Sequence, residues 1–361
     1  MAYTTIDDPS AYFQTTLWTG DGNDDRSITN TGNSDLQPDF VWIKSRGTTN
    51  DNLLFNSTVG VGNYLRSNDT NTDTTIADTL QAFESDGIQI GTDTRLNTNA
   101  DTVVSWQWKA NAGSTSVNNS GSIQSTVQVN QDAGFSIVTY TGTGSGATVG
   151  HGLGAIPTLV MVKNRSSAQN WRVFHQDAYY NGGYGQYQSG LKLNSNAVAD
   201  HGANSYWNND AFTTSTFSVG VNTEVNGSGN SMLAYCFTEK QGYSKFGLYT
   251  GNNNADGPFV YTGFRPAWLM IKATGSTGGA SAWRIADNKR SSSGGSNPVE
   301  KQLEADTNIT EDSGNDVDLL SNGFKVRSTA AQWNASANYF IYMAFAEHPF
   351  VSSTGAPTTA G

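Results

Sequence analysis

One three-part phrase occurs three times in this chain, and a repeat of that length restricts it to folds assembled from complete small domains. Each copy opens with an aromatic residue running into Thr-Gly: Leu17-Trp18-Thr19-Gly20, Thr139-Tyr140-Thr141-Gly142 and Leu248-Tyr249-Thr250-Gly251. Each continues with a proline and an apolar run that ends in lysine, from Pro38 to Lys44, Pro157 to Lys163 and Pro266 to Lys272. Each closes on an aromatic-rich run: VVSWQW ending at Trp108, MLAYCF ending at Phe237 and YFIYMAF ending at Phe345. The period of roughly 110–120 residues is too long for a solenoid unit or a propeller blade and suits a whole domain. Triplication of a domain favours binding or architecture over the building of one active site.

What kind of domain follows from the residues between those phrases. Charged residues make up 14% of the chain, against about a quarter in ordinary soluble domains, while aromatics stand at 11% and suffice to build cores. Apolar alternation recurs in short runs, as in Phe135 to Tyr140, Leu191-Lys192-Leu193, Phe217-Ser218-Val219 and Phe324-Lys325-Val326, with turn signals such as Asp86-Gly87 and Asn322-Gly323 between them. The expected fold is all-β, with three tandem β-sandwich domains of jelly-roll or lectin-like type, about 100–120 residues each, and little helix. The Pro-led runs are continuously apolar, which predicts strands buried on both faces with the proline at the strand's entry. Only Thr75 to Phe83 has a pattern fit for a short helix.

The boundaries fall into an N-terminal docking segment at 1–12, sandwich repeats at 13–110, 134–240 and 241–348, a linker at 111–133, and a flexible tail at 349–361. The linker reads as extended chain, or as strands exchanged with a neighbouring subunit. The junction between the second and third repeats is tight, so those two are expected to form a rigid pair while the first hinges. Stretches Ser67 to Thr75, Asp177 to Ser189 and Thr274 to Pro298 are polar and differ between repeats, as partner-facing loops do.

Net charge of −11 and a sequence pI near 4.7 argue against a nucleic-acid partner, which calls for a basic stripe. No run approaches 18 apolar residues, so membrane insertion is not expected. The opening MAYTTIDDPS lacks the basic and apolar regions of a signal peptide, and the expectation is synthesis in a cytoplasm without a secretion signal. The lone Cys236 lies in an apolar strand and reads as a small hydrophobe.

Chemistry-bearing patterns are few. His151, His175, His201 and His348 show no metal spacing, and His151 reads as a turn residue. Gly142 to Gly146 lacks the lysine and helix of a phosphate loop. Acidic groups at Asp21, Asp24 and Asp25, at Asp69 and Asp73, and at Asp312, Asp316 and Asp318 could supply oxygens to calcium but follow no calcium-loop register. No cofactor and no enzymatic activity are expected. The stronger lead is aromatic. Tyr179, Tyr180, Tyr184 and Tyr187 stand among glycines and amides, followed by Tyr206 and Trp207. Such residues suit a glycan contact, a protein interface or plain core packing.

Four phrases carry a resemblance: MAYTTIDDPSAYFQTTLWTGDG, NSDLQPDFVWIKSR, ATVGHGLGAIPTLVMVKNR and GLYTGNNNADGPFVYTGFRPAWLMIKA. Together with SNGFKVR and YMAFAEHPF they make nearly the whole chain similar to the repeated β-domain structural proteins of marine tailed bacteriophages, the tail-fibre or appendage type. The resemblance implies a non-enzymatic virion component that assembles with other virion proteins. It fits a homo-oligomer, with a trimer as the commonest symmetry of such appendages, and multivalent attachment to a host-surface glycan or protein. Capsid decoration, as a head fibre, is the alternative. A glycan depolymerase is the third, and would need opposed acids in a cleft.

Overall fold

The computed structural model describes residues 2–178, 185–202, 205–275, 281–291 and 297–357, and over these the chain is all-β. The described helices are single turns. Each repeat is built on the same four-strand order, set by its three sequence phrases. In repeat one the opening strand Phe13–Thr19 pairs with the closing strand Thr102–Trp108, which pairs with the Pro-led strand Phe40–Ser45, followed by Leu53–Asn56. Repeat two gives Phe135–Thr141, Ser231–Phe237, Leu159–Asn164 and Arg172–His175. Repeat three gives Ser244–Thr250, Tyr339–Pro349, Phe264–Ala273 and Arg284–Asp287. These pairings are all antiparallel.

The Pro-led strands are buried on both faces, as their continuous apolarity predicts: all six residues of Phe40–Ser45 and of Leu159–Asn164 are inaccessible. Alternation divides them between two cores. Val41 and Ile43 pack inside their own sandwich with Ile28, Ile88 and Leu96, under the small sheet Arg26–Thr29, Gly87–Ile90 and Leu80–Glu84. Val160 and Val162 do the same in repeat two, and Leu269 and Ile271 in repeat three. The opposite faces, Phe40 and Trp42, Leu159 and Met161, Trp268 and Met270, all enter one shared core.

That shared core joins every pair of repeats. Phe40 stacks on Tyr235 with ring centroids 4.1 Å apart, Phe237 meets Phe345 at 5.9 Å, and Trp108 meets Phe345 at 5.6 Å. The three sandwiches therefore close into a ring with approximate three-fold symmetry around an aromatic centre.

This closure corrects the expected hinge: repeat one shares its core with both others and is as firmly held as they are. The segment 111–133, read as a linker, carries strands Ser116–Asn118 and Ser125–Asn130, which extend the sheet of repeat two next to Phe135–Thr141. Its Val127 is buried, and its Gln128 reaches back to repeat one, donating to the buried Asp39 carboxylate (2.5 Å). Asp39 also accepts the backbone N–H groups of Ala110, Ala112 and Gly113, so the chain leaving repeat one is wrapped around a carboxylate. No helix forms over Thr75 to Phe83. Residues Leu80–Glu84 are a strand there, because the hairpin partner Gly87–Ile90 buries Leu80 in repeat one's core.

Both termini are tied to the body. Thr4 donates to the Gln241 carbonyl (2.8 Å), Tyr3 to that of Gly263 (2.9 Å), and the backbone N–H of Ser353 donates to Asp7 (2.6 Å). The expected docking segment at 1–12 thus lies on its own third repeat, and the expected flexible tail is held as far as Pro357, which bridges Val351.

Candidate functional site

The aromatic-Thr-Gly phrase builds the same turn three times. Its aromatic tip donates to a carbonyl in a one-turn helix: Trp18 to Leu96 (2.9 Å), Tyr140 to Val225 (2.5 Å) and Tyr249 to Trp333 (2.8 Å). The next helical residue is a fully buried asparagine, Asn97, Asn226 or Asn334. Each accepts the backbone N–H just past the Thr-Gly, from Asp21, Thr143 and Asn252, at 2.7–3.0 Å. Each also donates to carbonyls on both sides, as Asn226 does to Ser145 (2.6 Å) and Gly220 (2.9 Å). The glycine is required by space. A Cβ on Gly20, Gly142 or Gly251 would overlap the carbonyl oxygen of Thr98, Gly227 or Ala335.

The lysine that ends each Pro-led strand lies at a seam between repeats, buried, with its ammonium aimed at backbone carbonyls. Lys44 donates to Ser45 (2.7 Å), Thr48 (3.2 Å) and, in repeat three, Asn308 (3.4 Å). Lys163 donates to Gln169 and, in repeat one, to Thr70 (2.8 Å). Lys272 donates to Ser281 and, in repeat two, to Asn196 (2.7 Å). Each repeat therefore grips a loop of the preceding one, in a cycle. Burial pulls all three lysines down to about 8, against nearby carboxylates that pull the other way, so they remain charged at neutral pH.

Neighbouring residues reinforce the grip. Arg46 forms a two-pronged pair with Glu311 (2.7 and 2.8 Å), and Arg165 pairs with Asp73. At one shared position Asn52, Trp171 and Trp283 donate across the seams to the carbonyls of Glu304, Arg66 and Lys192. The polar loop Ser67 to Thr75 does face a partner, and that partner is the rest of the chain: Thr70 and Asp73 meet repeat two, and Ser67 donates to the Ala305 carbonyl of repeat three (2.5 Å). From each repeat's other side, Asn56 donates to the Tyr235 hydroxyl (3.1 Å), His175 Nε2 to the Tyr342 carbonyl (3.2 Å), and Trp106 Nε1 to Asp287 (3.0 Å).

The aromatic lead in repeat two divides. Tyr179, Tyr180 and Tyr184 lie outside the described residues. Trp207 is fully buried, with Nε1 bound to the Ser189 carbonyl (2.9 Å), so it packs the core and offers no face to a ligand. Tyr187 stacks on Phe174 with centroids 5.5 Å apart. Tyr206 lies over the Arg172 guanidinium at 3.7 Å. That guanidinium is itself buried between Glu224 and Asp200. Tyr187 and Tyr206 are half-buried and each keeps part of its ring at the surface.

Other expected sites are structural in their contacts. His151 and His175 are buried, each accepting a backbone N–H at Nδ1, from Leu153 and Asp177 (both 3.1 Å), while Nε2 faces a carbonyl. Burial pushes both down to about 4 and keeps them neutral. The Cys236 thiol is enclosed and pushed well up by the same cause. Among the described residues no group of three His, Cys, Asp or Glu side chains could hold a metal, and no helix is long and apolar enough to cross a membrane.

No curated protein matches the chain. A family model spans residues 8–349, across all three repeats and the segment between them. On that match the chain belongs to the family described as domain of unknown function DUF7483.

Proposed function

We propose that this protein is a non-enzymatic structural component of a tailed-phage virion, an appendage that contributes to host-surface attachment through multivalent weak contacts. The observation that carries the reading is the closed ring. Three copies of one sandwich are locked by buried lysines, so the strongly buried cations serve cohesion and the loops around the rim are presented on a rigid frame. The low charge and hydroxyl- and amide-rich composition suit contact with hydrated glycans, and the resemblance to marine-phage structural proteins supplies the particle. Tyr187 and Tyr206 remain the aromatic contacts of that proposal, with Tyr179, Tyr180 and Tyr184 beside them in sequence.

Immunogold or cryo-electron microscopy localisation on intact particles tests it. Label at the tail periphery is the expected result. Label over the capsid would replace attachment by capsid decoration, and absence from particles would overturn the virion reading altogether. The homo-oligomer belongs to the same proposal. Light scattering should give a multiple of 38.6 kDa, whereas a monomer would mean that the one-chain ring is the whole three-fold unit.

A further inference from the structure

Each sandwich leaves one short strand at a sheet edge, and the three repeats treat that edge differently. The strands are Arg26–Thr29, Ala147–Gly150 and Phe259–Tyr261. Their equivalence follows from register: Ile28, Val149 and Val260 sit opposite Ile88, Phe217 and Phe324, and each enters its own repeat's core. An edge presents a row of unpaired N–H and C=O groups, which proteins cover with chain or blunt with charge.

Repeat two covers its edge with its own chain. Ile123 runs parallel beside Val149, its N–H donates to the Thr148 carbonyl (3.0 Å), and its side chain joins the core. Next to it the backbone N–H of Ser122 donates to the Thr148 hydroxyl (3.0 Å), and that of Thr148 to the Ser122 hydroxyl (2.9 Å). Repeat one blunts its edge with polar groups: Arg26 pairs with Asp21, and Ser27 donates to Glu84 (2.7 Å). Repeat three does neither. Phe259 and Tyr261 flank Val260 there, 47% and 53% exposed. Their strand bonds to Gly323–Val326 through Val260, with Pro258 and Thr262 bonded on either side, so the backbone groups of Phe259 and Tyr261 point the other way. Among the described residues no strand pairs on that side. Repeat two is preceded by the long segment 111–133, but the chain enters repeat three through Glu239 to Gly242, too short to supply a cover. Tyr3 touches the exposed face at one end, its hydroxyl 3.1 Å from that of Tyr261.

The covered edge of repeat two is a template for the occupant of the open one. At the place of Ile123 the occupant meets Val260, which keeps 8% exposure where Val149 has none. At the place of Ser122 it meets Phe259 instead of a threonine hydroxyl, and at that of Gln124 it meets Tyr261. Aromatic and β-branched side chains are the favourable cross-strand companions of such rings. The nearby Asp256 and Lys325 already pair with each other (2.8 Å), so the edge asks for no charge. A second copy of this chain has spent its Ser122-Ile123 on its own repeat two, and two copies of this edge joined by a two-fold would run antiparallel, unlike the template. We infer that the edge Phe259–Tyr261 receives, as a parallel strand, an extended segment of a separate protein with uncharged apolar residues at three successive positions. The inference goes beyond the attachment reading and does not depend on it.

The test uses the full chain and two peptides covering residues 118–126, the native sequence and one carrying Ser122→Val and Gln124→Val. Fluorescence anisotropy reads binding, and hydrogen exchange reads its place. The apolar peptide should bind at least tenfold more tightly than the native one and protect residues 258–262 but not the edge at 26–29. N-methylation at its Ile123 removes the N–H that would donate to the Phe259 carbonyl and should lower affinity at least tenfold, whereas a contact through side chains alone would not respond. The variant Phe259→Lys, Tyr261→Lys changes only exposed side chains, so it should melt close to wild type and fail to bind. No binding of the apolar peptide, or binding that neither N-methylation nor the folded lysine variant weakens, would overturn the inference. Wild-type dimers that form without peptide and are lost in the lysine variant would assign the edge to a second copy, and would overturn it too.

Discussion

Asn226 shows how much one side chain carries. It joins the Thr-Gly turn to the loop before its helix through an accepted and two donated bonds, all inside the protein. Asn226→Leu keeps the approximate volume but strands those groups, at about 1–3 kcal/mol for each one left unpaired. We expect a stability loss of at least about 2 kcal/mol in urea titration, and the same for Asn97 and Asn334. The asparagine was legible in principle, since it stands at a fixed distance before every closing strand: 97 before 102, 226 before 231, 334 before 339. The aromatic-Thr-Gly phrase is the more conspicuous signal because it is bulky and contiguous. Trp207 illustrates the opposite failure: its neighbours in sequence are polar, yet its ring fills the core beside Phe174 and Phe212, and composition cannot separate those cases.

Titration also belongs at this scale. His151 and His175 are held neutral down to about 4, whereas unfolded histidine takes up its proton near 6.5. The unfolded chain therefore binds more protons in that window, and stability falls as pH drops from 6.5 towards 4. Asp306 acts against this. Burial raises it to about 6 from 3.8, so the folded state takes up its proton first and regains part of the loss below pH 6. Melting temperature should already be falling as pH drops through about 7, fall most steeply at about pH 5.5–6, where unfolded histidine is largely protonated, and fall more gently towards 4. His175→Asn, which installs the residue that repeat one has at this position in Asn56, should flatten the descent. An unchanged profile in a folded variant would remove His175 from the account.

Among the elements, the Pro-led strand does the most. Its apolar continuity predicted double burial, and its terminal lysine was visible three times over. That the lysine reaches the preceding repeat was not legible: Lys163 and Thr70 are 93 residues apart, and Lys44 and Asn308 are 264 apart. No local pattern encodes such a pairing. Lys163→Met leaves the Thr70 and Gln169 carbonyls without their buried donor and should cost roughly 1–3 kcal/mol. Hydrogen exchange should rise over 67–75 and 165–171 while the other two seams stay protected. Equal deprotection at every seam would mean that the grip is collective rather than local.

Over the whole molecule, the all-β class and the three repeats were readable from phrases and alternation, but the ring was not, because a buried aromatic such as Trp18 in its own repeat's core and one such as Trp106 in the shared core look alike in sequence. The shared core makes a definite prediction. Calorimetry of the full chain should give one transition whose van't Hoff and calorimetric enthalpies agree. Repeat two alone, residues 134–240, would expose Phe135, Leu159, Met161, Tyr235 and Phe237 together, and should be aggregated or molten. Three separate transitions, or a well-folded isolated repeat, would contradict the common centre.

The lysine grips have a consequence for copy number. Each sandwich carries a giving face and a receiving face, which is the head-to-tail relation that in separate subunits either closes or runs on without end. Here the third repeat meets the first, and every face is consumed inside one molecule. A deletion that left two repeats would free one face of each kind, and such chains should associate with one another through them. Three is the copy number at which no gripping face is left over.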